Sequence, residues 1–290
     1  MKVVIPDDYQ DAVRHLDCFA KLDAHDVTIH NDTVTDGDTL AERFRDAEAL
    51  VLIRERTAIT AELLDRLPKL KLIAQTGRGT AHIDIAACEA RGIRIATGTG
   101  SPYAPAELAF ALILASMRRI PQEAASARAG RWQSGLGTTL RGRTLGIWGY
   151  GKIGTLVADF GRAFGMKVIH SQANSRDELL EQSDVLSLHL RLSEKTRHRI
   201  TRDDLARMRP TALLVNTARA ELIAPGALAG ALRAGRPGFA AVDVFEEEPT
   251  KDDPLLQLDN VLATPHLGYV ERDSYELYFG QAFDAINEGV

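Results

Sequence analysis

Residues 145–172, LGIWGYGKIGTLVADFGRAFGMKVIHSQ, constrain the fold more than any other stretch of the chain. An apolar strand runs into three glycines spaced G-x-G-x-x-G, a helical pattern follows, and a second β-branched strand closes the unit. Each glycine meets a different demand. Gly149 allows the tight turn, Gly151 lets the backbone approach a pyrophosphate, and Gly154 lets helix and strand pack closely. Phosphate oxygens would face the N–H groups and positive end of a helix beginning near Lys152. Turn glycines of an ordinary βαβ unit share this spacing, but the flanking strands favour a dinucleotide site.

The rest of the chain repeats the alternation. Short β-branched runs fall at 2–6, 27–31, 49–54, 70–76 and 93–97, with helical stretches at 60–67 and 83–92. From Thr144 a second series begins: TLGIW, MKVIHS, VLSLH, ALLVN, FAAVDVF and VLATP. This pattern predicts an α/β protein of two Rossmann-like domains with parallel sheets. Between the series, an apolar helix is expected from about Ala106 to Ile120, stopped by Pro121, buried on nearly all faces and placed at the boundary between two domains. The segment SYELYFGQAFDAI reads as an amphipathic helix returning to the first domain. The substrate domain is therefore expected to be discontinuous, 1–100 and 267–290, with a dinucleotide-binding domain inserted at 101–266.

Charge and composition narrow the function classes. A length of 290 residues suits two domains of moderate size, and 45% hydrophobic against 26% charged residues is ordinary for a globular protein. The net charge is −5 with scattered cations, so no basic stripe points to nucleic acid. The start, MKVVIPDD, lacks the apolar core of a signal peptide, and no apolar run is long enough to cross a bilayer. Cys18 and Cys88 fit no metal spacing and read as reduced, buried thiols, so no metal is expected. A cytoplasmic protein is the simplest expectation.

In open α/β sheets, ligands gather beyond the carboxyl ends of the strands. The last three strands each deliver one polar residue there: Arg219 after ALLVNTA, Glu248 after AAVDVFEE, and His266 after VLATP. Singly, these read as a surface cation, a member of an acidic run and a loop histidine. Jointly they suit hydride transfer to a 2-keto acid. Arg219 can hold the carboxylate in a two-pronged hydrogen bond and polarise the carbonyl. His266 can protonate the carbonyl oxygen, or take the proton back in reverse, and Glu248 beside it favours the imidazolium. His170 and His189 also end strands but lack such partners.

These residues resemble the D-isomer-specific 2-hydroxyacid dehydrogenase family over nearly the whole chain, through GYGKIG, LLVNTAR, VDVFEEEP and TPHLG in the family's order. The resemblance implies the mechanism above, a cleft between two domains and a homodimer built on the nucleotide-binding domains. It places Lys152 and Ile153 over the pyrophosphate, Thr217 and Ala218 beside the nicotinamide, and Asp243 as acceptor from the nicotinamide carboxamide. LIRERT and QTGRGT resemble the two substrate loops, which assigns Arg54, Glu55, Gly77, Arg78 and Gly79 to substrate binding. Arg78 stands where an apolar residue is common, either favouring a doubly charged acid or facing solvent. Ala220 replaces a usual glycine and Arg191 a common proline, and residues 172–184 are shorter than the family's usual excursion.

Glyoxylate, hydroxypyruvate and pyruvate-like acids all suit this reading. Formate is disfavoured, because Glu248 stands where formate enzymes carry an amide. The rival from another class is a non-catalytic NAD(H)-sensing corepressor of the same fold. The cofactor itself stays open between NAD and NADP. A carboxylate at the end of the second strand would hold both ribose hydroxyls and repel a 2′-phosphate, but Gln172 stands there. Ser171, Asn174, Ser175 and Arg176 lie close enough in sequence to receive that phosphate.

Overall fold

Short runs rich in apolar, mostly branched side chains build both sheets of the protein, whose computed structural model describes residues 1–289. The chain divides into two compact units, Met1–Ser101 with Val270–Val290, and Pro102–Tyr269.

In the first unit, β1 (Lys2–Ile5), β2 (Asp26–Ile29), β3 (Ala49–Leu52), β4 (Leu72–Gln75) and β5 (Arg94–Thr97) form a parallel sheet in the order β2-β1-β3-β4-β5. Every residue of β3 and β4 is buried, as expected for central strands covered on both faces. The connecting helices are α1 (Gly37–Phe44), α2 (Ala61–Leu64) and α3 (Ile85–Ala90). Their N-caps Asp36, Thr60 and Asp84 accept the N–H groups of Thr39, Leu63 and Ala87. Phe44, Leu63, Leu64 and Cys88 close one face of the sheet over Leu50, Leu52 and Ile73.

The second unit carries β6 (Thr144–Trp148), β7 (Lys167–His170), β8 (Val185–Leu188), β9 (Leu213–Asn216), β10 (Phe239–Val242) and β11 (Val261–Ala263), all parallel, in the order β7-β6-β8-β9-β10-β11. Its helices are α4 (Tyr103–Met117), α5 (Ile120–Arg128), α6 (Lys152–Ala163), α7 (Arg176–Gln182), α8 (Arg202–Ala206) and α9 (Ala227–Arg233). The commonest dinucleotide-binding order places a third strand outside the second. Here the chain leaves β7, forms α7 at once, and enters β8 on the far side of β6. The shortness of residues 172–184 has this consequence: β7 is the edge strand.

Two sequence expectations need correction. Pro121 does not stop the apolar helix. The helix α4 ends at Met117, Arg119 turns into the left-handed region at φ 55°, and Pro121 sits in the first turn of α5. A proline costs little there, because that turn's N–H groups have no helical partners anyway. The buried side of α4, including Ala106, Phe110 and Ile113, packs on α6, β9 and β10 within the second unit. Cys18, expected to be buried, is half-buried, with its thiol pushed up to about 12 by burial and by the Glu276 carboxylate; Cys88 is buried, and both are free.

The chain ends in α10 (Arg272–Asn287), which belongs to the first unit. Glu271 caps it, accepting the N–H groups of Asp273 and Ser274. Glu276 in turn accepts the N–H groups of Asp17 and Cys18 at 2.6 and 2.9 Å, and Phe283 meets Phe19 edge to face.

Gly146, in the middle of β6, is closely packed against the connection into β8. A Cβ there would collide with Ser183 Oγ and lie 3.1 Å from Leu186 Cδ1. Gly146→Ala is expected to lower stability by about 1–3 kcal/mol. Urea unfolding followed by the fluorescence of Trp148, buried in the same strand, should show a lower midpoint with an unchanged slope.

Candidate active site

The glycine turn joins β6 to α6, and each glycine occupies a place that its neighbours define. Gly149 has φ 107°, and a Cβ there would strike the His189 carbonyl at the end of β8. Gly154 lies so close to the Gly149 carbonyl and to Ile147 that a side chain would force helix and strand apart. Gly151 is different: it caps α6, is exposed, and a Cβ there would meet nothing within 4 Å. Lys152 and Ile153 follow in the first turn, Lys152 exposed. An open approach to the first N–H groups of a helix of 12 residues suits phosphate oxygens.

At the end of β7, Gln172 is exposed and its Nε2 donates to the Tyr150 carbonyl at 3.1 Å. Tyr150 stacks on His170 with ring centroids 3.8 Å apart. The four polar neighbours expected to receive a 2′-phosphate are otherwise engaged. Ser171 Oγ accepts Gly149 N–H at 3.1 Å, and Asn174 Oδ1 accepts His170 N–H at 3.1 Å. Ser175 caps α7. Arg176 ion-pairs with Asp204, donates to the Arg199 carbonyl, and lies over the Trp148 ring. These groups are consumed by reversing the chain from an edge strand into α7.

Arg219, Glu248 and His266 stand beyond the carboxyl ends of β9, β10 and β11, and the fold brings them together. His266 Nδ1 and Glu248 Oε2 are 2.5 Å apart, while the other oxygen of Glu248 accepts Phe245 N–H at 2.9 Å. Burial pushes the Glu248 carboxyl up, but the His266 hydrogen bond and charge, the Phe245 N–H and the nearby Arg219 guanidinium outweigh it. Their sum holds it below the ordinary carboxylate value. His266 has φ 54°, a left-handed conformation uncommon for a non-glycine residue.

Two supports were not legible in the sequence. Asn216, buried at the end of β9, donates to the Arg219 carbonyl at 2.9 Å and accepts Ala218 N–H at 3.1 Å. It thereby fixes the turn Thr217–Arg219; its signal was a polar residue closing the run LLV. Asp243, which the resemblance makes the acceptor from the nicotinamide carboxamide, is fully enclosed. Its carboxylate accepts the Thr264 hydroxyl at 2.6 Å and the Leu267 and Gly268 N–H groups at 2.7 and 2.9 Å. Burial raises this carboxyl above its usual value against those donors. Asp243 therefore anchors the turn that carries His266. Thr217 Oγ1, in contrast, is buried without a hydrogen-bond partner, an orphan hydroxyl that a ligand amide can satisfy.

His189 differs from His266 in kind. It contacts the Ser187 hydroxyl at 2.9 Å, and burial lowers its pKa to about 4, so it is neutral at physiological pH.

In the first unit, the expected substrate residues lie beyond β3 and β4. Arg54 has φ 55°, donates its N–H to Thr76 Oγ1 at 2.8 Å and its Nη1 to the Thr76 carbonyl at 3.2 Å. Its guanidinium fills the space over Gly77, and Glu55 does the same over Gly79, so a side chain at either glycine would displace the group above it. Arg78 is exposed, with no side-chain partner among the described residues. Among the described residues no cluster suited to a metal ion is present, and no helix is long and apolar enough to cross a membrane.

Known proteins show the same pattern. The model of the D-isomer specific 2-hydroxyacid dehydrogenase NAD binding domain matches residues 110–268. D-3-phosphoglycerate dehydrogenase of Methanocaldococcus jannaschii is 40% identical over 249 residues, 80% of this chain but 47% of that protein, so the chain spans about half its length. Glyoxylate reductase of Aeropyrum pernix is 40% identical over 263 residues, 82% of this chain and 78% of that protein. The solved structure of phosphoglycerate oxidoreductase from Vibrio cholerae o395 is 50% identical, with a TM-score of 0.96 over 99% of this chain and 98% of that one. With a family model that spans more than half of the sequence and a fold shared almost end to end, this chain belongs to the D-isomer specific 2-hydroxyacid dehydrogenases, a family of NAD-binding oxidoreductases.

Proposed function

We propose that this chain reduces a small 2-keto acid, of the glyoxylate or hydroxypyruvate kind, to the D-2-hydroxy acid, or runs the reverse. The observation that carries the reading is the Glu248–His266 pair, 2.5 Å apart and within the field of Arg219. When bound, a nicotinamide dinucleotide supplies or accepts the hydride. Gly149, Gly151, Lys152, Ile153 and Gly154 would hold its pyrophosphate, Gln172 its ribose, and Thr217 and Ala218 its nicotinamide end, with Asp243 acting through the turn it anchors. Neither Gln172 nor its neighbours repel a 2′-phosphate, so NADPH is accepted as well as NADH.

Arg219 holds the substrate carboxylate and polarises the adjacent carbonyl. Glu248, ionised at neutral pH, occupies His266 Nδ1 and leaves Nε2 to give its proton to the carbonyl oxygen. Arg54, Glu55, Gly77, Arg78 and Gly79 are the proposed substrate residues of the first unit. The homodimer belongs to the same reading. Its support is the segment after α5, where Trp132 is 75% and Leu136 96% exposed, an apolar surface that a second copy would cover.

A panel of 2-keto acids with NADH and NADPH tests the activity. Turnover of at least one acid is expected, and His266→Ala should lower it about 100- to 10,000-fold while dinucleotide binding is kept. Binding without turnover across the panel would support the sensor instead, and near-normal turnover in the variant would remove His266 as the acid.

Glu248→Gln tests the electrostatic pairing. Removing the carboxylate that holds Nδ1 should lower turnover about 10-fold or more while dinucleotide binding is kept. Wild-type turnover in the variant would show that the pair does not position the proton donor.

Light scattering after size exclusion is expected to report a dimer, and Leu136→Asp combined with Trp132→Ala to report monomers. A monomeric wild-type chain would end the homodimer proposal.

A further inference from the structure

The adenosine end of the glycine turn is bounded by three loops, those after β6, β7 and β8. Between them they hold Lys152, Arg191, Lys195, Arg197 and Arg199 against one carboxylate, Glu194, and Arg197 is paired with Glu221. The loop after β7 offers no cation, because Arg176 is committed to Asp204, to the Arg199 carbonyl and to the face of Trp148. It offers no carboxylate either, because Gln172 stands there, its amide on the Tyr150 carbonyl. Whatever distinguishes a 2′-phosphate from a 2′-hydroxyl must therefore come from elsewhere.

The loop after β8 is the remaining wall. Its backbone is held against the glycine turn: His189 N–H donates to the Trp148 carbonyl at 2.7 Å, and a Cβ on Gly149 would come within 2.6 Å of Leu190 N. Arg191 is the next residue. Its carbonyl accepts the Thr196 hydroxyl at 2.7 Å, which fixes the backbone at this point. Its side chain is exposed and has no hydrogen bond or ion pair among the described residues. Because β7 and β8 flank β6, Gln172 and Arg191 leave the sheet on either side of the fingerprint, two strand spacings or about 10 Å apart. A ribose phosphate between those ends lies within reach of a long guanidinium side chain.

We propose that Arg191 selects the cofactor: its guanidinium pairs with the 2′-phosphate of NADP across the glycine turn, while Gln172 opposite leaves that phosphate unrepelled. The preferred dinucleotide is then NADPH. A guanidinium matches a phosphate in two parallel hydrogen bonds, and this one has no competing internal partner to give up. The inference rests on the reading of the glycine turn as a dinucleotide site and deepens it.

Calorimetric titration of NADPH and NADH into the wild-type chain and into Arg191→Ala and Arg191→Lys tests this without turnover. The wild type should bind NADPH at least about 10-fold more tightly than NADH. Arg191→Ala should weaken NADPH about 10- to 100-fold and NADH far less, with Arg191→Lys in between. A wild type with no NADPH preference, or an alanine variant that weakens both dinucleotides equally, would overturn the role of Arg191 and leave the dinucleotide site standing. If neither dinucleotide binds to the wild type, the dinucleotide reading itself fails.

Discussion

The close approach of β6 to the end of β8 at Gly149 is the constraint on which the second unit depends. Its backbone, at φ 107°, passes so near the His189 carbonyl that no side chain fits. That contact sets where the turn ends and where α6 begins, and Gly154 then seats the helix against the same turn. The helix start is consequently open to solvent at Gly151 while its base is close-packed. Any residue larger than glycine at 149 would separate the strand ends on which the loops of the site are carried.

A second set of contacts fixes the chemistry at the other side of the sheet. The turn from Thr264 to Gly268 gives three donors to the enclosed Asp243 carboxylate, so β10 and β11 end as one piece. His266 projects from that turn onto Glu248, whose second oxygen is held by Phe245 N–H. For Glu248 the opposing effects are burial, which disfavours charge, and three donors or cations, which favour it; the second group prevails. For Asp243, burial prevails instead. Two carboxyl groups five residues apart thus have opposite tendencies, one poised beside an ionisable partner and one holding a backbone turn.

Much of this was legible in the sequence, for physical reasons. Central strands such as VLSL and LLVN are buried on both faces and read as uninterrupted apolar runs. The three polar residues after the last strands stood out because they break such runs at the end where ligands gather. Pro121 misled because proline closes a helix and opens one with equal ease, and only the left-handed turn at Arg119 decides which. The anchoring role of Asp243 was hidden because its partners are two backbone N–H groups and a hydroxyl, which carry no sequence signature.

The polar residues after β7 teach a similar lesson about edges. In a sheet that continued past β7, the chain after Gln172 would run on to another strand, and its polar side chains would remain available to a ligand. Here it reverses within a few residues into α7. Reversal leaves unpaired N–H groups at the strand end, at the glycine turn and at the helix start, and Asn174, Ser171 and Ser175 satisfy one of each. Arg176 is drawn onto Asp204, whose carboxylate is already held by the Thr201 cap of α8. Shortening one connection therefore spends the polar groups of that loop on structure. Recognition at the adenosine end then falls to the neighbouring loop after β8, whose backbone is pinned by Gly149 on one side and by Thr196 on the other, and whose next side chain is Arg191.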